Sequence, residues 1–123
     1  MTNQEIGKLG EDAAANLLIE KGYKIVERNY RIGHLEVDII ALKGDVVAFV
    51  EVKTRAVNYL VAPQKAVNYQ KQKYIVSDAN GYMRRFRLTE EARLDVITVL
   101  HKNGVVMEVE HIENAYYPRV RTY

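Results

Sequence analysis

The chain contains no cysteine, which removes disulfides, thiolate metal sites and cysteine nucleophiles together. Serine is almost absent as well. Ser77 is the only one, and no histidine lies near it in sequence, so serine-hydrolase chemistry has little material. None of the seven glycines forms a phosphate loop of the GxxxxGK type. Long hydrophobic runs are also missing: the longest uninterrupted one, Val46–Val50, has five residues, against about 20 for a membrane-spanning helix. Met1-Thr2-Asn3-Gln4-Glu5 does not open a secretory signal, so the cytoplasm is the expected location. Nor is there a large excess of either charge; the formal net charge of +2 is too small to imply nucleic acid by itself. What is present is an ordinary globular composition, 48% hydrophobic and 28% charged over 123 residues, a length that fits one domain. No internal repeat, low-complexity segment or linker interrupts it.

The informative region is a pair of apolar strands that carry acids. Leu35-Glu36-Val37-Asp38-Ile39-Ile40 precedes Val46–Val50, which runs into Glu51-Val52-Lys53. Strands this apolar are expected to be buried, where carboxylates and a lysine are costly unless compensated, and a divalent cation is the natural compensator. Leu42-Lys43-Gly44-Asp45-Val46 reads as a tight hairpin, because glycine supplies the positive φ of a two-residue loop. With Gly44-Asp45 as the loop, Lys43 faces Val46, Asp38 falls opposite Glu51, and Glu36 opposite Lys53. Alternation then places Glu36, Asp38, Glu51 and Lys53 on one face, continued by Ile40, Leu42, Val47 and Phe49. Leu35, Val37, Ile39, Ala41, Val46, Ala48, Val50 and Val52 form an uncharged back. A Lys43-Gly44 loop shifts the register but keeps the shared face, whereas a three-residue loop separates Asp38 from Glu51. A salt-bridged patch, with Lys53 neutralising Glu36 or Glu51, is the alternative to a metal site.

Around this hairpin the pattern predicts a helix over Thr2–Lys21, with Ile6, Leu9, Ala13 and Leu17 on one stripe and Gly22 as its stop. Glu11 stands in the neighbouring row with Gly7, Ala14 and Leu18, small residues that would let the helix press close to another backbone. A first strand is expected over Tyr23–Tyr30, and a second helix from Ala62 or Pro63 to about Tyr82. One face of that helix carries Val67, Lys71, Tyr74, Ile75 and Asp78. Further strands follow over Arg93–Leu100 and Val105–His111, joined by Asn103-Gly104; a tail occupies 112–123. Arg93 and Asp95 share a strand face and are expected to pair. Between Gln64 and Leu88, Lys65, Lys71, Lys73, Arg84, Arg85 and Arg87 stand against the single acid Asp78, interleaved with Tyr69, Tyr74, Tyr82 and Phe86. Such a stretch could neutralise phosphates and offer aromatic faces, or it could be a solvated basic surface. His34, His101 and His111 show no metal-ligand spacing.

The order of elements, with an acidic strand and Glu-x-Lys on the next, resembles the PD-(D/E)XK nuclease superfamily. Gly7-x-x-Gly10-Glu11, Gly22-Tyr23, Arg28-Asn29-Tyr30-Arg31, Glu36-Val37-Asp38-Ile39-Ile40, Phe49-Val50-Glu51-Val52-Lys53-Thr54-Arg55, Ala66-Val67, Lys71 and Arg93-Leu94-Asp95-Val96 narrow the likeness to the bacterial YraN-like family, which is grouped with Holliday junction resolvase-like proteins. The resemblance covers nearly the whole chain. Two departures, Leu35 and Val61 where the family usually has glycine, bear on substrate access more than on metal binding. The resemblance implies an α/β, restriction-endonuclease-like α-β-β-β-α-β core, a central mixed sheet flanked by helices, in a single domain spanning 1–123. It implies a magnesium-dependent endonuclease hydrolysing phosphodiester bonds in DNA, branched or structured DNA included, with manganese as a substitute. Asp38 and Glu51 would be direct ligands, the Val52 carbonyl a third, and Glu11 a water-mediated or second-metal ligand. Lys53 would orient water or stabilise phosphate charge, with Glu36 and Arg55 in support. Magnesium suits such a set because it takes few carboxylates and keeps several waters. DNA is the expected partner, no membrane is expected, and a homodimer is left open. A non-catalytic nucleic-acid-binding or assembly module on the same fold remains the alternative.

Overall fold

The computed structural model describes residues 1–33, 35–58 and 69–115. Helix α1 (Asn3–Glu20) precedes three strands, β1 (Lys24–Ile32), β2 (Leu35–Lys43) and β3 (Val46–Ala56). Helix α2 (Tyr69–Arg85) and the strands β4 (Glu91–Lys102) and β5 (Val105–Ile112) follow. The strands form one mixed sheet in the order β1-β2-β3-β4-β5. All neighbours are antiparallel except β3 and β4, which run parallel and therefore need the crossover that contains α2. The α/β class and the mixed sheet flanked by helices are as the sequence predicts.

Local chemistry explains the boundaries. Thr2 caps α1 in a reciprocal box: the Glu5 N–H donates to Thr2 Oγ1 at 3.1 Å and the Thr2 N–H to Glu5 Oε1 at 2.8 Å. Gly22, at φ 93°, ends the helix. The second helix runs past Tyr82 to Arg85 because its stop is Arg87, held at φ 53°, while the Leu88 N–H donates to the Met83 carbonyl at 2.9 Å. Its expected start, and Val67, lie outside the described residues. Of the face that carries Tyr74 and Ile75, Tyr74 is half exposed and Ile75 buried; the buried stripe is Ile75, Ala79 and Tyr82.

Two cores sandwich the sheet. Phe49, Val47, Ile40, Leu94 and Val96 pack under α2, whereas Ile39, Ala41, Ala48, Val50, Ile97 and Val99 pack under α1. This agrees with the predicted parity except at Val37, which joins the α2 side. The cause is local. Asn29, at φ 52°, falls between the pairs Arg28 with Ile39 and Tyr30 with Val37, and both strands change face there. Arg28 bonds to α1, while Tyr30 stacks edge-on against Tyr82 of α2 at 5.3 Å.

Candidate functional site

The hairpin turn is the predicted one, with Lys43 paired to Val46, and the β2–β3 ladder continues to Ile39 and Val50. It stops one pair short of Asp38 and Glu51. The side chain of Asp38 takes up the next backbone donor instead: Asp38 Oδ2 accepts from the Val52 N–H at 2.7 Å. That amide belongs to the peptide joining Glu51 to Val52, so the Asp38 carboxylate lies against the segment that carries Glu51. On β3 the alternation is regular, and Glu51 and Lys53 follow Phe49 on the α2 side. Lys53 Nζ lies 3.2 Å from Glu51 Oε1, with side chains only 14% and 11% exposed. Where β2 parts from β3, the Asp38 carboxylate thus lies on the Val52 amide and Lys53 on Glu51.

Glu36 is not brought to Lys53. The ladder ends before it could pair them, and its ion partner is Arg31 at 3.8 Å. It does help line a cavity of about 10 Å³ with Val37, Phe49, Glu51 and Ile75, room for one water at most. Arg55 donates to the Thr54 carbonyl at 2.9 Å, further along β3. A larger depression, about 570 Å³, opens beyond it between Met1, Ile6, Ala56, Asn58, His101 and Lys102; among the described residues no acid lines it.

The chemistry of the donors fits a hard cation. Two carboxylates and the carbonyl of Val52 offer oxygen donors, the kind a hard cation takes. Among the described residues no three His, Asp or Glu side chains form a ready metal cluster, so a cation here would rest on Asp38, Glu51 and backbone oxygen.

A protein-family model described as Uncharacterised protein family UPF0102 matches residues 10–99. The chain belongs to UPF0102. This is the YraN-like family of the sequence resemblance. A UPF0102 protein of Bacteroides thetaiotaomicron is 43% identical over 116 residues, 94% of this chain and 95% of its own. Relatives from Trichlorobacter lovleyi and Dictyoglomus turgidum are 46% and 41% identical, covering 91% and 100% of their own lengths.

In this UPF0102 chain α1 touches the sheet at Gly10, not Gly7: a Cβ on Gly10 would meet Thr54 Oγ1 at 1.8 Å, whereas one on Gly7 meets nothing within 4 Å. Gly10, Ala14, Ala15 and Leu18 are the buried residues of the helix. Glu11 flanks that seam on the α1 side, its carboxylate 3.8 Å from Arg28. Arg28 is engaged more closely by Asp12, at 2.7 Å, and its hydrogen bond, then that of Lys8, holds the Asp12 carboxyl below its usual value.

The expected pairing of Arg93 with Asp95 is present, within a wider network. Asp95 is fully buried and accepts from Arg93 Nε at 2.9 Å, from the Asn114 N–H at 3.0 Å and from Arg93 Nη2 at 2.8 Å. His111 Nε2 is 2.8 Å from the same carboxylate, and Lys21 Nζ is 2.6 Å from His111 Nδ1. Arg93 also donates to the Tyr23 hydroxyl. Burial alone would push the Asp95 carboxyl up; the bonds from His111, Arg93 and Asn114 outweigh it and hold it low. Its oxygens are occupied, so Asp95 is a structural anchor. Sequence spacing missed His111, because its partners come from α1 and β4, far away in the chain.

Of the basic stretch, Lys73, Arg84, Arg85 and Arg87 lie on the exposed surface of α2 and its end. Lys65 and the Lys71 side chain fall outside the described residues. Phe86 and Tyr74 are 45% and 50% exposed. Tyr82 is not an available face: it is buried against Tyr30, Phe49 and Phe86.

Proposed function

We propose that this chain is a divalent-metal-dependent endonuclease that hydrolyses phosphodiester bonds in DNA, branched or otherwise structured DNA being the substrate to test first. The observation that supports the reading is the Asp38 carboxylate held against the Glu51–Val52 peptide at the parting of β2 from β3, with Lys53 on Glu51. Bound by Asp38, Glu51 and the Val52 carbonyl, magnesium would supply an activated water and counter-charge for the phosphate. Lys53, paired with Glu51, would hold a phosphate oxygen when that carboxylate serves the cation. Glu11 would act through water from the α1 side. The exposed cations of α2 would hold the backbone of the nucleic acid.

A second reading has its own observation. Glu51 already has a mostly buried counter-charge in Lys53, the arrangement of a structural ion pair, and the chain would then be a non-catalytic nucleic-acid-binding module. One experiment separates them. Purified protein is incubated with four-way junction, flap, duplex, single-stranded DNA and RNA in magnesium or manganese, beside Glu51→Gln, while manganese is titrated into wild type and Asp38→Asn. Cleavage lost in Glu51→Gln, with manganese bound only by wild type, is the expected result. Equal manganese binding by both proteins, or none by wild type, overturns the metal site. No cleavage of any substrate by wild type overturns the endonuclease.

A further inference from the structure

Thr98 Oγ1 is, among the described residues, the one buried side-chain oxygen or nitrogen without a hydrogen-bond partner. The residue is only 7% exposed. A hydroxyl shut away from water and left unpaired destabilises a free protein. Valine has the same shape without that penalty, and Val96, Ile97 and Val99 around Thr98 are all β-branched and apolar. The hydroxyl is therefore an uncompensated cost in the fold alone.

Its position indicates what would complete it. In the unbroken parallel register of β3 with β4, Thr98 is the partner of Lys53, two residues on from the pair Glu51 and Val96. Leu94 and Val96 pack under α2, so alternation puts Thr98 on the same face as Glu51 and Lys53. In the opposite direction Thr98 is paired with Glu110 of β5. The acids Asp38 and Glu51 lie on one side of Lys53, and on the other stands a neutral donor whose hydrogen has nowhere to go. Lys53 itself is turned to Glu51.

The geometry points to Thr98 as a further substrate-contacting residue, whose hydroxyl donates to a non-bridging oxygen of the phosphodiester that Lys53 holds. This rests on the nucleic-acid reading of the site but not on turnover. An anion drawing the Lys53 ammonium away from Glu51 would sit over the Lys53–Thr98 pair, and the hydroxyl would gain the partner it lacks. A cation ligand is the poorer fit, because the neighbouring ammonium repels it.

The test compares Thr98→Val and Thr98→Ser with wild type. Melting temperature, anisotropy of a fluorescein-labelled four-way junction in calcium, and cleavage of the same junction in magnesium are measured. Thr98→Val is expected to melt at or above the wild-type temperature, because an unpaired hydroxyl has gone, and to weaken junction binding by about tenfold. Thr98→Ser should restore binding to within about twofold. Binding by Thr98→Val equal to wild type overturns the inference, as does weakened binding that serine fails to restore. Absence of junction binding by wild type overturns it together with the nucleic-acid reading. Binding without cleavage by wild type sinks the endonuclease alone, and a selective loss in Thr98→Val then still supports the phosphate contact.

Discussion

Asp38 and Asp95 are aspartates of one sheet with opposite surroundings, and the contrast governs what each can do. Asp95 has its oxygens filled by Arg93, His111 and the Asn114 amide, whereas Asp38 Oδ2 accepts from the Val52 amide, next to Glu51. Converting Asp95 to asparagine takes from Arg93, itself only 15% exposed, the nearer and fully buried of its two carboxylate partners, Glu113 standing at 3.5 Å and half exposed. The loss expected is about 3–5 kcal/mol, as for breaking a buried pair, read from urea unfolding. The same carboxyl sets an acid limb. Its folded pKa is depressed, so its contribution is complete above the ordinary carboxylate value, near pH 4, and is lost as pH falls below that through the folded value. Wild-type urea midpoints should therefore fall in this range, and those of Asp95→Asn should fall less. At the candidate site the charge argument reverses. Lys53→Met removes an ammonium 3.2 Å from Glu51 and keeps the aliphatic bulk, so manganese should bind as tightly or more tightly while cleavage is abolished. Wild-type cleavage by Lys53→Met would make Lys53 a structural partner only.

The elements were legible where one period holds and obscure where it breaks. Gly44 pinned the hairpin, and with it the faces of Ile40, Phe49, Ala48 and Val50. The change of face at Val37 was not readable, because it depends on the left-handed backbone of Asn29 on the neighbouring strand. In α1 the expected stripe of Ile6, Leu9, Ala13 and Leu17 lies one row from the buried Gly10, Ala14 and Leu18, since hydrophobicity does not count a glycine as a contact. That contact makes a prediction. Gly10→Ala gains helix propensity, about 1 kcal/mol, but its Cβ would meet Thr54 Oγ1 at 1.8 Å and Thr54 Cβ at 2.9 Å. Oversized seams of this kind cost about 1–3 kcal/mol, so the clash should win and the variant melt lower. In a Thr54→Ala background the closest atom is gone and only the Cβ at 2.9 Å remains, so the same substitution should cost clearly less. If Gly10→Ala is equally costly in both backgrounds, the seam is not what requires glycine.

Across the whole molecule, the proposed chemistry and the proposed grip on nucleic acid would occupy different places. Asp38, Glu51 and Lys53 were readable as neighbours from one hairpin, whereas the unpaired Thr98 beside them was not, because it arrives on β4 through a parallel register that no turn announces. The basic stretch was readable as composition but not as surface: Tyr82, counted among its aromatic faces, belongs to the core. What remains outside runs along α2, from Lys73 near its start to Arg84 and Arg85 in its last turn. Those residues are separated by about 16 Å at 1.5 Å per residue, a span of roughly five base pairs of duplex at 3.4 Å each. The chain from Lys53 enters the crossover that leads to α2, and α2 returns to β4, so Arg84 and Arg85 lie toward the β4 start, where the Glu91 N–H bonds the Asp45 carbonyl at the hairpin turn. They are therefore at the far end of the sheet from Lys53 and Thr98. Phosphates gripped there would be remote from the bond that the proposed site cleaves. Arg84→Gln with Arg85→Gln should lower the salt dependence of junction binding by about one logarithmic unit of slope per lost contact. The same pair should raise KM and leave kcat close to wild type, because uniform binding is lost and the reacting groups are untouched. Unchanged affinity and slope would make the basic end of α2 a solvated surface, and a fall in kcat at saturation would place it at the chemistry instead.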